Sequence, residues 1–289
     1  MKEYQRFVPY NTKINIRLEE KIKSFTDTDL VNLTYEHAKT ISRYLEKPEE
    51  DFIQAITQSD SETIGKYVEG LSPRFAKEII YNLLRFDEET NTLNIGLTTG
   101  IMARSIRLGY KIKKQKPIVV QGLLITKDNK ILLGIRSKSK LRINLPDEPF
   151  DYKIILCPAG YAKYNKEGSL EKPFYSELEE ELGLKKESVI NLNLIGHNTD
   201  ISFAKGLRLT FLTHIDSSFE DIIKNWRNAS DSWEHKELIG IENNRISIIK
   251  FLETKDFSDY QARGLIKPSV IPVLEYILDK PSLTNITLP

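Results

Sequence analysis

The chain has 289 residues, 40% of them hydrophobic and 29% charged, with a formal net charge of +1. That length allows one large domain or two, and the near-neutral balance supplies no global field to draw the chain to nucleic acid or an anionic membrane. No run approaches the ~18 apolar residues of a membrane span and no signal-peptide pattern opens the chain; the single cysteine, Cys157, can form no intramolecular disulfide and points to a reducing compartment. The expectation is a soluble cytoplasmic protein.

In chain order, residues 1–16 alternate apolar and polar groups (Phe7, Val8, Tyr10, Ile14, Ile16) and read as a strand or extended arm. Thr26 or Asp27 can cap a helix with Leu30, Leu33, Ala38, Ile41 and Leu45 inward. Pro48 ends it and fits the first turn of a second helix through Phe52, Ile53 and Ile56. A third helix is expected over 61–71. Ser72-Pro73 then opens a fourth, with Phe75, Ile79, Ile80, Leu83 and Leu84 inward. A short strand follows at 92–97. Residues 1–115 thus read as a mainly helical N-terminal region of unknown role. The basic segment 104–116 (Arg104, Arg107, Lys111, Lys113, Lys114, Lys116) reads as a solvated connector, the alternative being that one or two side chains reach substrate phosphates.

From Pro117 the pattern becomes mixed α/β. An apolar strand at 118–126, a turn at Lys127-Asp128-Asn129-Lys130 and a returning strand at 131–135 form a hairpin. Further strands are expected at 153–157, 189–196, 207–215 and 237–241, with late helices near 246–252 and 268–278. Cys157 ends an apolar run and reads as a buried strand residue. Of the four histidines, His197 and His235 fall in candidate active-site loops, but no spacing among them suggests a zinc site, and all four read as structural or surface residues.

The chemistry concentrates between Pro158 and Leu184. At about 100° per residue, a helix through Ser176-Glu-Leu-Glu-Glu-Glu-Leu182 places Glu177, Glu180 and Glu181 within roughly a 100° arc beside an apolar arc of Tyr175, Leu178 and Leu182. Like charges three and four residues apart repel. Such a cluster is either a solvated acidic face or a site for a hard, oxygen-loving cation, Mg²⁺ above all.

This stretch resembles the Nudix box: Gly, five residues, Glu, seven residues, then Arg-Glu-aliphatic-any-Glu-Glu-any-Gly-aliphatic. Gly160 matches its opening, and Glu177, Leu178, Glu180, Glu181, Gly183 and Leu184 match its second half. Two departures stand out. The loop between Gly160 and Ser176 is two residues longer than the family's, and Ser176 replaces the Arg that braces the glutamates, while the upstream Glu falls on Gly168 or, out of step, on Glu167.

The resemblance implies an α/β/α sandwich with a mixed sheet over 116–289. It also implies Mg²⁺, with Mn²⁺ as the alternative, held by Glu177, Glu180 and Glu181. The implied reaction is water attack on a phosphoanhydride, the base coming from the box or from a later loop in which Glu234 and Glu237 are the available carboxylates. Arg136 and Gly160 are the implied substrate contacts, the alternative for Arg136 being a solvent-exposed strand-end residue, and Trp233, beside Glu234, could stack on a base or cap the sheet.

The expected substrate is a small nucleotide, a nucleoside diphosphate linked to another moiety as in ADP-ribose or a nucleotide sugar. The order of parts, including a Gly-Leu-Thr-Thr stretch at 96–99, is similar to the UDP-sugar pyrophosphatase branch. An RNA-cap hydrolase and a non-catalytic nucleotide sensor are the alternatives. Nucleic acid is disfavoured because a basic path is offered only at 104–116. No membrane partner is expected, and a homodimer is left open.

Overall fold

Local signals set most of the elements in this computed structural model, which describes residues 7–10, 14–87, 89–110, 115–137, 153–199, 206–253 and 270–280. Strands β1 (Phe7–Pro9) and β2 (Asn15–Leu18) and a short helix α1 (Glu20–Lys23) open the chain. Helix α2 (Asp27–Tyr44) starts where Thr26 and Asp29 form a reciprocal capping box. Pro48 precedes α3 (Glu49–Gln58), and Asp60 caps α4 (Ser61–Tyr67) by accepting from two backbone N–H groups.

The expected fourth helix is a correction. It closes after α5 (Pro73–Lys77), and Ile79–Asp87 is a strand, β3, paired antiparallel with β4 (Thr92–Thr99). Ile79, Ile80, Leu83 and Leu84 fit a helical period, but the β-branched and aromatic run Ile79-Ile80-Tyr81 also fits a pleated surface, and pairing with β4 decides between them. Helix α6 (Gly100–Arg107) then runs through the start of the expected basic connector. Arg104 is buried, its Nε–H donating to the Glu69 carbonyl at 2.9 Å; Lys111, Lys113 and Lys114 lie outside the described residues.

The second half of the chain follows the expected order of strands, with one further helix. Strands β5 (Ile118–Ile125) and β6 (Lys130–Arg136) form the expected hairpin. Two short strands, β7 (Ile154–Leu156) and β8 (Ala159–Tyr161), lead into α7 (Glu171–Leu182). Then come β9 (Val189–Thr199), β10 (Leu207–Ile215), α8 (Phe219–Trp226), β11 (His235–Glu242), α9 (Arg245–Glu253) and α10 (Ile271–Asp279). The large sheet has the order β1-β9-β10-β5-β6-β11, with β7 on β6 and β8 on β5. It is mixed, since β10 and β5 are parallel while β5 and β6 are antiparallel.

Strand alternation sends successive side chains to opposite faces. Val120, Leu124, Leu132, Leu209 and Leu238 pack under Phe174, Leu178 and Leu182 of α7 and Ile222 of α8. Leu123, Ile125, Leu133, Ile135 and Ile239 pack under Ile248 and Phe251 of α9 and Val273 and Leu274 of α10. The sheet therefore lies between two helical layers, the α/β/α sandwich expected from the box. Phe174 is fully buried, and truncating such a residue to Ala costs about 3–5 kcal/mol.

The N-terminal helices share a core around Ile41, Phe52, Ile56 and Ile101. Some described residues of this region also pack with the large sheet. β1 is an edge strand of the large sheet, and Tyr81, Leu83, Leu93 and Ile95 belong to the same core as α7. Among the described residues no helix is long and apolar enough to cross a membrane.

Candidate active site

The apolar residues of α7 decide how its acids sit. Phe174, Leu178 and Leu182 are spaced four apart and buried against the sheet. Glu177 and Glu181, next to them on the helix, are drawn in and are 8% and 2% exposed; Glu180 is half-buried and Glu179 exposed. Gly160 on β8 makes room for Glu177. A Cβ at position 160 would lie 2.1 Å from the Glu177 carboxyl carbon and 2.2 and 2.3 Å from its oxygens. Helix α7 ends at Gly183, whose φ of +67° is the left-handed cap that glycine adopts without strain.

A cation faces these acids from β8's continuation. Lys163 Nζ donates to Glu180 Oε2 at 3.0 Å and Oε1 at 3.3 Å and stands 3.6 Å from Glu177 Oε1. Burial disfavours its charge, but the carboxylates of Glu177, Glu180 and Glu78 outweigh that and raise its pKa. For Glu177, burial first and the Glu181 charge second hold the carboxyl well above the usual carboxylate range, against the pull of Lys163. Ser176 stands where the box pattern has Arg, so the positive charge comes from another segment. Sequence reasoning missed Lys163. Its place depends on a bridge between Lys163 and Ile80 of β3, a long-range contact with no local signal.

Glu181 turns inward. Its Oε1 accepts from the Ala159 N–H at 3.1 Å and its Oε2 lies 2.7 Å from His235 Nε2. His235 is buried at the start of β11. It thus has a structural place, next to the box, that no spacing announced. The other histidines lie elsewhere: His37 bonds Thr99, His214 bonds Asn191, and His197 packs against Tyr10 and Phe86.

The later loop does reach the box. The Asp231 N–H donates to the Glu180 carbonyl at 2.8 Å, and the Ser137 N–H donates to the Glu234 carbonyl at 2.7 Å. These bonds bring Glu234, at the end of a 3-10 turn over Ser232–Glu234, beside Arg136, with 3.7 Å between Glu234 Oε2 and Arg136 Nη2. Burial first, then the Glu181 charge, raises the Glu234 pKa, against Arg136. Trp233 is half-buried on the same turn, its Nε1–H donating to Asp231 Oδ1 at 3.3 Å.

Glu237 is a correction. It pairs with Ile135 within β11 and falls on the face of Ile239, toward α9 and α10, whereas α7 lies over the face of Leu238. The bulge between His235 and Glu237 reverses the alternation that a simple count would give.

Among the described residues no three His, Cys, Asp or Glu side chains converge as a ready-made metal cage. Glu177 and Glu180 still fit a hard divalent cation. Their donors are carboxylate oxygens, and both already point at one positive charge, the Lys163 ammonium. Glu181, with both oxygens engaged, is the departure from the expected three-carboxylate set.

A loop from Gly160, a helix presenting Glu177 and Glu180, and a left-handed turn at Gly183 thus lie against a mixed sheet inside two helical layers. This is the arrangement that the resemblance of residues 158–184 to the Nudix box implies. No family model and no curated protein matches the sequence. Several solved structures are similar over part of it. The DR0079 protein of Deinococcus radiodurans is 12% identical, covering 69% of this chain and 98% of its own, with a TM-score of 0.42. A bifunctional NMN adenylyltransferase/ADP ribose pyrophosphatase from Francisella tularensis, complexed with AMP and a Mn ion, is 16% identical over 63% of this chain and 50% of its own, at 0.35. The Nudix domain of NrtR from Shewanella oneidensis, complexed with ADP ribose, is 15% identical over 58% of this chain and 88% of its own, at 0.33. In this structure Glu177, Glu180, Arg136, Glu234 and Gly160 come together, Trp233 lines the adjacent turn, and Glu237 lies apart.

Proposed function

We propose that the chain is a divalent-metal-dependent pyrophosphohydrolase. Its substrate would be a nucleoside diphosphate joined to a second moiety, of the ADP-ribose or nucleotide-sugar type, split into a nucleoside monophosphate and a phosphate ester. The observation that carries this reading is the convergence of Glu177 and Glu180 on one cationic point at the edge of the core. Mg²⁺, or Mn²⁺, held by these two residues would neutralise the diphosphate and lower the pKa of the attacking water.

The remaining roles belong to the chain's own groups. Glu234 is the candidate base, because its raised pKa makes its carboxylate a stronger proton acceptor at the pH where it is ionised. Arg136, paired with it, holds that carboxylate and offers a planar guanidinium to a phosphate. Trp233 offers a ring face on the same turn. Glu181 acts by positioning, since its bonds to Ala159 and His235 tie α7 to β8 and β11. Cys157 is fully buried and its thiol is pushed up by burial, which argues against a covalent thiol intermediate.

A second reading, a non-catalytic nucleotide sensor, is favoured by the inward turn of Glu181 and the ammonium already seated on Glu177 and Glu180. The RNA-cap reading loses support, because Arg104 of the basic segment is buried against Glu69. A released-phosphate screen with Mg²⁺ over ADP-ribose, nucleotide sugars, dinucleoside polyphosphates, nucleoside triphosphates and capped RNA separates the three. Turnover of ADP-ribose or a nucleotide sugar supports the proposal, and nucleotide binding without turnover supports the sensor.

A further inference from the structure

Lys163 has a fixed backbone and a long, partly exposed side chain. The Tyr81 N–H donates to the Ala162 carbonyl and the Tyr164 N–H to the Ile79 carbonyl, both at 2.8 Å, clamping the residues on either side of Lys163 to β3. Its side chain is 28% exposed and is a flexible four-carbon stem ending in a point charge. The ammonium rests on Glu180 and Glu177. A third carboxylate, Glu78, precedes β3 two residues before Ile80 and lies within electrostatic range of the same ammonium. Glu78 is 19% exposed and its nearest ion-pair partner, Arg74, is 3.8 Å away and largely solvated.

An ammonium that faces both oxygens of Glu180 and Oε1 of Glu177 competes with a divalent ion for those oxygens, and the two cations repel. We propose that Lys163 is a tethered counter-cation that competes with the metal for Glu177 and Glu180, and that Glu78 is the carboxylate to which it withdraws when the metal enters. The proposal rests on the metal-dependent reading above and deepens it. It distinguishes two roles for a lysine in this position. A brace replacing the missing Arg at Ser176 would hold the glutamates for the metal, so its loss would weaken metal binding. A competitor must leave, so its loss tightens it. A site that is free for only a tenth of the time binds about tenfold more weakly than its intrinsic affinity.

The experiment is Mn²⁺ titration of the full chain without nucleotide, by electron paramagnetic resonance and calorimetry. The variants are Lys163→Met, Lys163→Gln, Glu78→Gln and the double change Lys163→Met with Glu78→Gln. Both Lys163 variants should tighten Mn²⁺ binding by about tenfold. Glu78→Gln should weaken it severalfold with Lys163 present and leave it unchanged in the Lys163→Met background, the coupling that a double-mutant cycle isolates. Weaker or unchanged binding in both Lys163 variants overturns the competitor role while leaving the metal site standing. An equal effect of Glu78→Gln in both backgrounds overturns the withdrawal partner. No Mn²⁺ binding in any variant overturns the metal reading and the competitor with it.

Discussion

Gly160→Ala is the sharpest single test of how the acids are seated. The added Cβ would stand 2.1 Å from the Glu177 carboxyl carbon and 2.2 Å from one oxygen, and real Cβ atoms essentially never approach closer than 3.0 Å. The carboxylate must therefore withdraw by about 0.9 Å, a displacement at which positioning effects reach roughly 100-fold in rate. The buried helix cannot simply back away, because Phe174, Leu178 and Leu182 are packed to zero exposure on the same side. Because the clash is with the far end of the Glu177 side chain, turning that carboxylate aside relieves most of the strain, and the change bears on the carboxylate's position more than on stability. Thermal melting and steady-state turnover on whichever nucleotide the screen identifies would both be measured. A loss of roughly 100-fold in turnover with a modest fall in Tm is expected. Wild-type turnover in a folded Gly160→Ala protein would refute the claim that Gly160 exists to admit Glu177.

Other substitutions follow the same geometry. Glu177→Gln and Glu180→Gln should abolish turnover while keeping Tm at or above wild type, since a buried charge or a like-charge repulsion is relieved; calorimetry beside activity checks both. His235→Ala should lower stability by about 1–3 kcal/mol, because it leaves Glu181 Oε2 buried without its hydrogen-bond partner while Oε1 keeps the Ala159 N–H. Glu237→Gln should leave turnover unchanged, because that side chain faces α9 and α10. Glu234 has a pKa raised on folding, so the stability tied to its proton is complete below the unfolded value of ~4.3 and is lost as pH rises through the folded value. Glu234→Gln should accordingly raise Tm at pH 8 and not at pH 4, and it should remove the acid limb of the pH–rate profile.

How much of this was readable from the sequence varied with the range of the interaction. The turn at Lys127–Lys130, the capping box at Thr26 and the box helix were legible because caps, turn residues and hydrophobic period act within a few residues. Helix α8 was missed although Ser218 caps it and Phe219, Ile222, Ile223 and Trp226 recur at helical spacing. The strand from Ile79 was misread because its apolar spacing fits both periods and only β4 distinguishes them. The carboxylates of the site were legible because they share one helix. Their partners were not. Lys163, His235 and Glu78 come from three separate segments, and a sequence carries no local mark of a contact made across a sheet.

The most direct measurement is hydrolysis in ¹⁸O-water of the nucleoside diphosphate derivative that proves to be turned over, with and without Mg²⁺. Attack of water on a phosphoanhydride places label on phosphorus in one product, gives a nucleoside monophosphate and a phosphate ester, and requires both the metal and Glu177. Label on a sugar carbon, or turnover that survives metal removal and the Glu177→Gln change, would contradict hydrolysis at the Glu177–Glu180 site.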